Sequence, residues 1–119
     1  MSRRTERVND LLREEISDIL RSELHDPRIG GIVTITSVDV SPDLRRADAF
    51  VSVLGSAEER VSTMQALEHA RPFLRHELSR RVKLRYTPDI HFVSDTTMER
   101  AQELTDLMRR TARERGEEL

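Results

Sequence analysis

Cysteine and tryptophan are absent from this sequence, tyrosine occurs once and phenylalanine three times. Without thiols there is no disulfide framework and no thiolate metal site. With so few rings, Leu, Ile, Val and Met must fill the core. No apolar run approaches the roughly 20 residues that a bilayer-spanning helix needs. The opening MSRRTERVNDLL turns charged and amphipathic at once and lacks the apolar stretch of a signal peptide. Gly30-Gly31 matches neither G-x-G-x-x-G nor a Walker loop, so it reads as a plain turn. No segment repeats at a fixed period. These absences predict a soluble, cytoplasmic chain with no membrane span, no cofactor and no small-molecule substrate. The 119 residues suit a single domain, 1–119, with an ordered core over about 4–112 and a frayed tail at 113–119. A monomer is expected.

Catalytic and metal constellations are also missing. The four histidines, His25, His69, His76 and His91, are scattered. His76-Glu77 begins like H-E-x-x-H, but position 80 is arginine, so the second ligand is absent. Asp39, Asp43 and Asp48 lie on or beside an expected hairpin, where exposed acids are ordinary. Met64, Met98 and Met108 sit at helical spacing and read as packing. No set of residues meets the convergent arrangement that an active site requires, and we expect no enzyme.

What is present is regular patterning. Val8, Leu11, Leu12, Ile16, Ile19, Leu20 and Leu24 recur at helical spacing, and Asp26-Pro27 ends that helix. IVTITSVDV (32–40) is rich in β-branched residues, with its apolar positions odd at Val33 and Ile35 and even at Val38 and Val40. That slip of phase predicts a β-bulge near Thr36 or Ser37. Ser41-Pro42-Asp43 is a turn, and ADAFVSVL alternates as the second strand of a hairpin. Ser56 and Glu59 form a capping box for a helix with Val61, Met64 and Leu67 inward. That helix runs into Ala70-Arg71-Pro72, where proline breaks it. A second helix carries Phe73, Leu74, Leu78 and Val82. After Tyr86-Thr87-Pro88 comes a short strand with Ile90 and Phe92 on one face. A second capping box at Thr96 and Glu99 opens a last helix with Met98, Ala101, Leu104, Leu107, Met108 and Ala112 on its apolar side. The order α-β-β-α-(kink)-α-β-α predicts an α+β fold, a three-stranded sheet packed on helices.

One segment departs from the charge balance. Residues 71–85 carry Arg71, Arg75, Arg80, Arg81, Lys83 and Arg85 against Glu77 alone, a charge of +5 in a chain whose total is −2. Pairing within the helix cannot neutralise this run, because Glu77 is its one acid. An anionic partner is therefore favoured. Arg45-Arg46 beside the hairpin turn, and Arg3 and Arg4 at the N-terminus, extend the same potential surface. The break at Pro72 is expected to aim Arg71 and Arg75 away from the core. The same face meeting an acidic protein partner is the alternative.

The strings RVNDLLREEISDIL, LHDPRIGG, VTITSVDVSPDLRRADAFVSV and LRYTPDIHFVSD, in this order over roughly residues 3–112, resemble the bacterial ribosome-binding factor A family. The resemblance implies a type II KH-like fold and a non-enzymatic assembly factor. Such a factor binds the free 30S subunit and its 16S rRNA, supports late maturation and processing of that RNA, and is needed most in the cold. It also implies a helix pair interrupted at an Ala-x-Gly motif, where ordinary KH domains carry a G-x-x-G loop. Ala70 matches that alanine; Pro72 stands at the glycine position. Without G-x-x-G and without exposed aromatic pairs, binding is expected to be driven by shape and charge.

Overall fold

The computed structural model describes residues 3–23 and 32–116, with the side chains of 97–99 excepted. Seven elements follow one another: α1 (Arg3–Ser22), β1 (Ile32–Val40), β2 (Arg46–Leu54), α2 (Ala57–His69), α3 (Arg71–Arg81), β3 (Asp89–Ser94) and α4 (Thr97–Glu114). The first six give the α-β-β-α-α-β order of a type II KH-like fold, and α4 is added at the end. Leu24, Asp26-Pro27 and Gly30-Gly31 fall outside the described residues.

The strands form one sheet in the order β1-β2-β3, antiparallel between β1 and β2 and parallel between β2 and β3. Parallel pairing needs a long crossover, and α2 with α3 supplies it. The register of the hairpin shifts between Ile35 and Ser37, so Thr36 is the extra residue of the expected bulge. Its hydroxyl donates to Asp95 Oδ2 at 2.7 Å, tying the bulge to the end of β3. The hairpin turns through Ser41–Leu44, with the Leu44 N–H donating to Ser41 O at 2.9 Å and Pro42 second in the turn. Leu44 itself adopts φ +61°, a conformation that costs a residue with a Cβ roughly 1–2 kcal/mol. Its neighbours compensate: Asp43 Oδ1 accepts from Ser41 Oγ and from the Arg45 N–H, and Ser41 Oγ accepts from the Arg46 N–H.

Alternation puts Ala47, Ala49, Val51 and Val53 on one face of β2, all of them buried. The small Ala47 and Ala49 lie beside the larger Ile90 and Phe92 of β3, so the sheet presents an even surface. Val8, Leu12, Ile16 and Ile19 of α1, Leu67 of α2, and Leu74 and Leu78 of α3 close over that face in a single core. The Val40 N–H donates to Asn9 Oδ1 at 2.8 Å and fixes α1 against the hairpin. The other face of β2, with Asp48, Phe50 and Ser52, is partly exposed.

The helix caps differ from one another. Ser56 accepts from the Glu59 N–H at 3.1 Å while Glu59 accepts from the Ser56 N–H at 3.0 Å, completing the expected box. Thr96 makes no capping hydrogen bond through its side chain, so the second box is not formed from its side. The Glu99 side chain lies outside the description. Two of the expected inward faces are also corrected. Val61 is 59% exposed, because α2 buries Thr63, Ala66 and Leu67 instead. Residues 100–110 of α4 are all exposed, Leu104, Leu107 and Met108 among them, and among the helix's described side chains only Ala112 is buried. Met108 is therefore not core packing; Met64 is partly buried against the core, and Met98 lies outside the description. Phe73 likewise faces outward.

Candidate nucleic-acid interface

Ala70 closes α2 and opens α3, with backbone angles still in the helical region. Pro72 is the second residue of α3. Its missing N–H is one that a helix start leaves without an intrahelical acceptor. The chain therefore passes from one helix to the next at Ala70 without losing a hydrogen bond it would otherwise make. The Leu74 N–H already donates to Ala70 O at 2.8 Å.

The basic run that follows divides in two. Arg71 does not point away from the core. It donates from Nε to Ile90 O at 2.6 Å, from Nη2 to Asp89 Oδ1 at 3.0 Å and from Nη1 to Glu68 Oε2 at 3.1 Å. The guanidinium thus clamps the start of α3 to β3. Burial works to lower its pKa, and the bonds it donates to Glu68 and Asp89 outweigh it and raise it. Burial would raise the Asp89 carboxyl, but Arg71 and then His91 hold it below its usual range.

Arg81 is likewise turned inward. It reaches Asp18 Oδ2 at 2.6 Å, Glu23 Oε1 at 2.5 Å and Glu15 Oε2 at 3.5 Å, all on α1 or directly after it, and Nε lies 3.8 Å from Glu77. The hydrogen bond that Arg81 donates to Asp18 does most to hold Arg81 protonated, and that same bond, then the one donated by Arg21, lowers the Asp18 carboxyl. Arg80 pairs with Glu77 Oε1 at 3.2 Å. Three of the six cations are therefore answered by carboxylates. Counting acids within the helix missed this for Arg71 and Arg81, because their partners come from other elements.

Arg75, Lys83 and Arg85 are exposed and have no carboxylate partner among the described residues. Pro72, Arg75, His76 and Ser79 stand at i, i+3, i+4 and i+7, so they form one face of α3. That face, with Arg85, Tyr86 and Thr87 from the following loop, walls a groove of about 750 Å³. Tyr86 is the residue that the sequence reading passed over. It is 45% exposed, with the Arg45 guanidinium carbon 4.7 Å and the Arg85 guanidinium carbon 5.6 Å from its ring centroid. Its only signal in the sequence is a lone aromatic placed directly after a basic residue in a loop.

The remaining candidates lie around the hairpin end. Arg45 joins the groove through Tyr86, and its carbonyl accepts from the Asp89 N–H at 2.8 Å. Arg46 pairs with Asp48 Oδ1 at 3.0 Å. Arg3 and Arg4 are exposed at the start of α1, whose Thr5 lines a shallow depression together with Ser41 and Pro42. They belong to that end of the molecule and not to the Tyr86 groove. No group of three or more His, Asp or Glu side chains able to hold a metal ion occurs among the described residues. Nor is any helix among them long and apolar enough to cross a membrane.

The family model for ribosome-binding factor A matches residues 4–108. A ribosome-binding factor A from Acetivibrio thermocellus is 45% identical over 109 residues, covering 92% of this chain and 89% of that protein. A relative from Synechocystis is 44% identical over 108 residues, covering 90% of this chain and 81% of its own. Among solved structures, a Thermus thermophilus ribosome binding factor A homology model fitted into a cryo-EM map of a 30S complex superposes with a TM-score of 0.60. It is 25% identical and covers 73% of this chain and 90% of its own.

Proposed function

Because the chain belongs to the ribosome-binding factor A family, we propose that it is a non-catalytic assembly factor for the small ribosomal subunit. In this reading it acts in the cytoplasm as a monomer, binds the free 30S subunit through 16S rRNA, and assists late maturation and processing of that RNA. Demand for it rises in the cold. The observation that supports this best is the set of cations left unpaired on one stretch: Arg75, Lys83 and Arg85 are exposed while their neighbours are neutralised. The Thermus relative fitted into a 30S complex supports the same partner.

Phosphate contacts position a protein without reading sequence, so the folded rRNA site supplies the specificity. Arg45, Arg75, Lys83 and Arg85 make four such contacts possible. By the single-strand and duplex slopes, raising salt from 50 to 200 mM then weakens binding roughly 50- to 150-fold. Co-sedimentation with purified small subunits across that salt range tests this. The combined Arg75→Glu, Lys83→Glu, Arg85→Glu variant is expected to lose binding, and Arg80→Glu to keep it. Salt-insensitive binding, or full binding by the triple variant, would overturn the assignment. A partner captured from extract that survives nuclease digestion would point instead to an acidic protein.

A further inference from the structure

The groove beside α3 holds more than charge. We propose that Tyr86 is a stacking platform for one unpaired nucleotide of single-stranded RNA, with Arg75 and Arg85 receiving that nucleotide's phosphate. The inference rests on the RNA-binding reading and names the part of the RNA that the site takes.

Three observations carry it. First, Tyr86 is 45% exposed and its ring lines the groove beside Arg75 and Arg85, whereas the other exposed ring, Phe73, is not part of that lining. Every nucleobase has a π-face, and base–aromatic stacking tolerates any sequence. Second, the ring is held in place before any ligand arrives. Arg45 lies 4.7 Å from its centroid, and Arg45 is delivered there by the turn whose Leu44 is forced to φ +61°. Strain of this kind persists where surrounding bonds over-determine it and tends to cluster at functional positions. Third, the charge around the ring is uncompensated. Two acids, Glu68 and Asp89, line the groove, but both are committed to Arg71, which lines it with them. Arg45, Arg75 and Arg85 have no carboxylate partner among the described residues. An anion entering the groove meets Arg75 and Arg85 in its lining, with Arg45 behind them against the Tyr86 ring, and a volume of about 750 Å³ admits a nucleotide.

The alternative is that the arginines simply rest on the ring and bind phosphate with no base involved. Abasic RNA separates the two. We would titrate the full chain with a hexa-adenylate ribo-oligonucleotide and with an abasic oligomer of the same length and charge. The ring resonances of Tyr86, the only tyrosine, would be followed by NMR. Stacking predicts an upfield shift of those resonances with hexa-adenylate alone, and tighter binding of it than of the abasic oligomer by about 5- to 150-fold. Tyr86→Leu should reduce hexa-adenylate to the abasic level, while Tyr86→Phe keeps the difference; the second variant guards against a general loss of fold.

Equal affinity of the two oligomers for the unaltered chain would overturn the platform and leave the phosphate-binding reading standing. If neither oligomer binds while small subunits still co-sediment, the single-stranded site is wrong and the RNA reading survives. If the subunits also fail to bind, both fall.

Discussion

At the scale of single residues, burial and hydrogen-bond satisfaction decide what a substitution does. Thr63 is fully buried in α2, and its hydroxyl has no hydrogen-bond partner among the described residues. A buried hydroxyl left unpaired costs about 1–3 kcal/mol. Thr63→Val keeps the shape and removes the polar atom, so it should raise the unfolding free energy by about 1 kcal/mol in urea titration, with the m-value unchanged. Leu74 is the opposite case, an apolar side chain of α3 buried in the hydrophobic core. Leu74→Ala should cost about 2–5 kcal/mol, the range seen when a core leucine leaves a cavity. The candidate site was only half legible at this scale. The excess of cations over 71–85 is plain in the sequence, but the division into paired and unpaired ones is not. Arg81 meets Asp18 across 63 positions, and no local rule connects them. Tyr86 was hidden for a related reason, because exposure in a loop depends on what folds over it.

At the scale of elements, the sequence was read well wherever local chemistry dictates the outcome. The slip of phase between Ile35 and Val38 is the bulge itself, seen as a pattern. The Ser56–Glu59 box is two hydrogen bonds three residues apart. It was read badly where a face must choose a partner. Val61, Met64 and Leu67 fit a helical stripe, yet α2 has so few large apolar residues that Thr63, Ala66 and Leu67 form an equally good one. For α4 the stripe is real and, among the described residues, nothing covers it along 100–110. Single substitutions along 100–110, such as Leu104→Ala or Leu107→Ala, should therefore change the unfolding free energy by no more than about 0.5 kcal/mol, and removing 97–119, which takes the buried Ala112 with it, should still leave a folded chain. Amides of α4 should exchange far faster than those of β2 in the intact chain. Slow exchange in α4, or collapse of the truncated chain, would contradict the exposure seen here. Pro72 makes a second test at this scale. Pro72→Gly installs the residue that the family resemblance leads one to expect. It should cost about 1–2 kcal/mol, because glycine frees the unfolded chain and weakens the start of α3. The clamp from Arg71 to Ile90 and Asp89 should still keep the two helices in place.

At the scale of the whole molecule, carboxylates act as the ties between elements. Asp18 joins α1 to α3 through Arg81, and Asp89 joins β3 to α3 through Arg71. Asp43 holds the hairpin turn through Ser41 and the Arg45 N–H, and Glu59 holds the start of α2 through Ser56. Each of these four groups has its pKa lowered in the folded chain, by the same partners it ties. A carboxylate with a depressed folded pKa binds its proton more readily when unfolded. Its contribution is therefore complete above the ordinary carboxylate pKa and is lost as pH falls through the folded one. Through these four groups the urea midpoint should fall as pH drops below about 4.5. Because the ties lie in different elements, the loss should be cooperative, with far-UV circular dichroism and the Tyr86 ring signals changing together. Asp18→Asn should lower the midpoint at neutral pH and flatten the acid slope, since that tie is already gone. Arg21→Gln should do much less, because Arg21 is an exposed partner of an Asp18 that Arg81 already holds. A midpoint that rises on acidification, or an Asp18→Asn variant with an unchanged slope, would show that the ties between α1 and α3 do not carry the stability assigned to them.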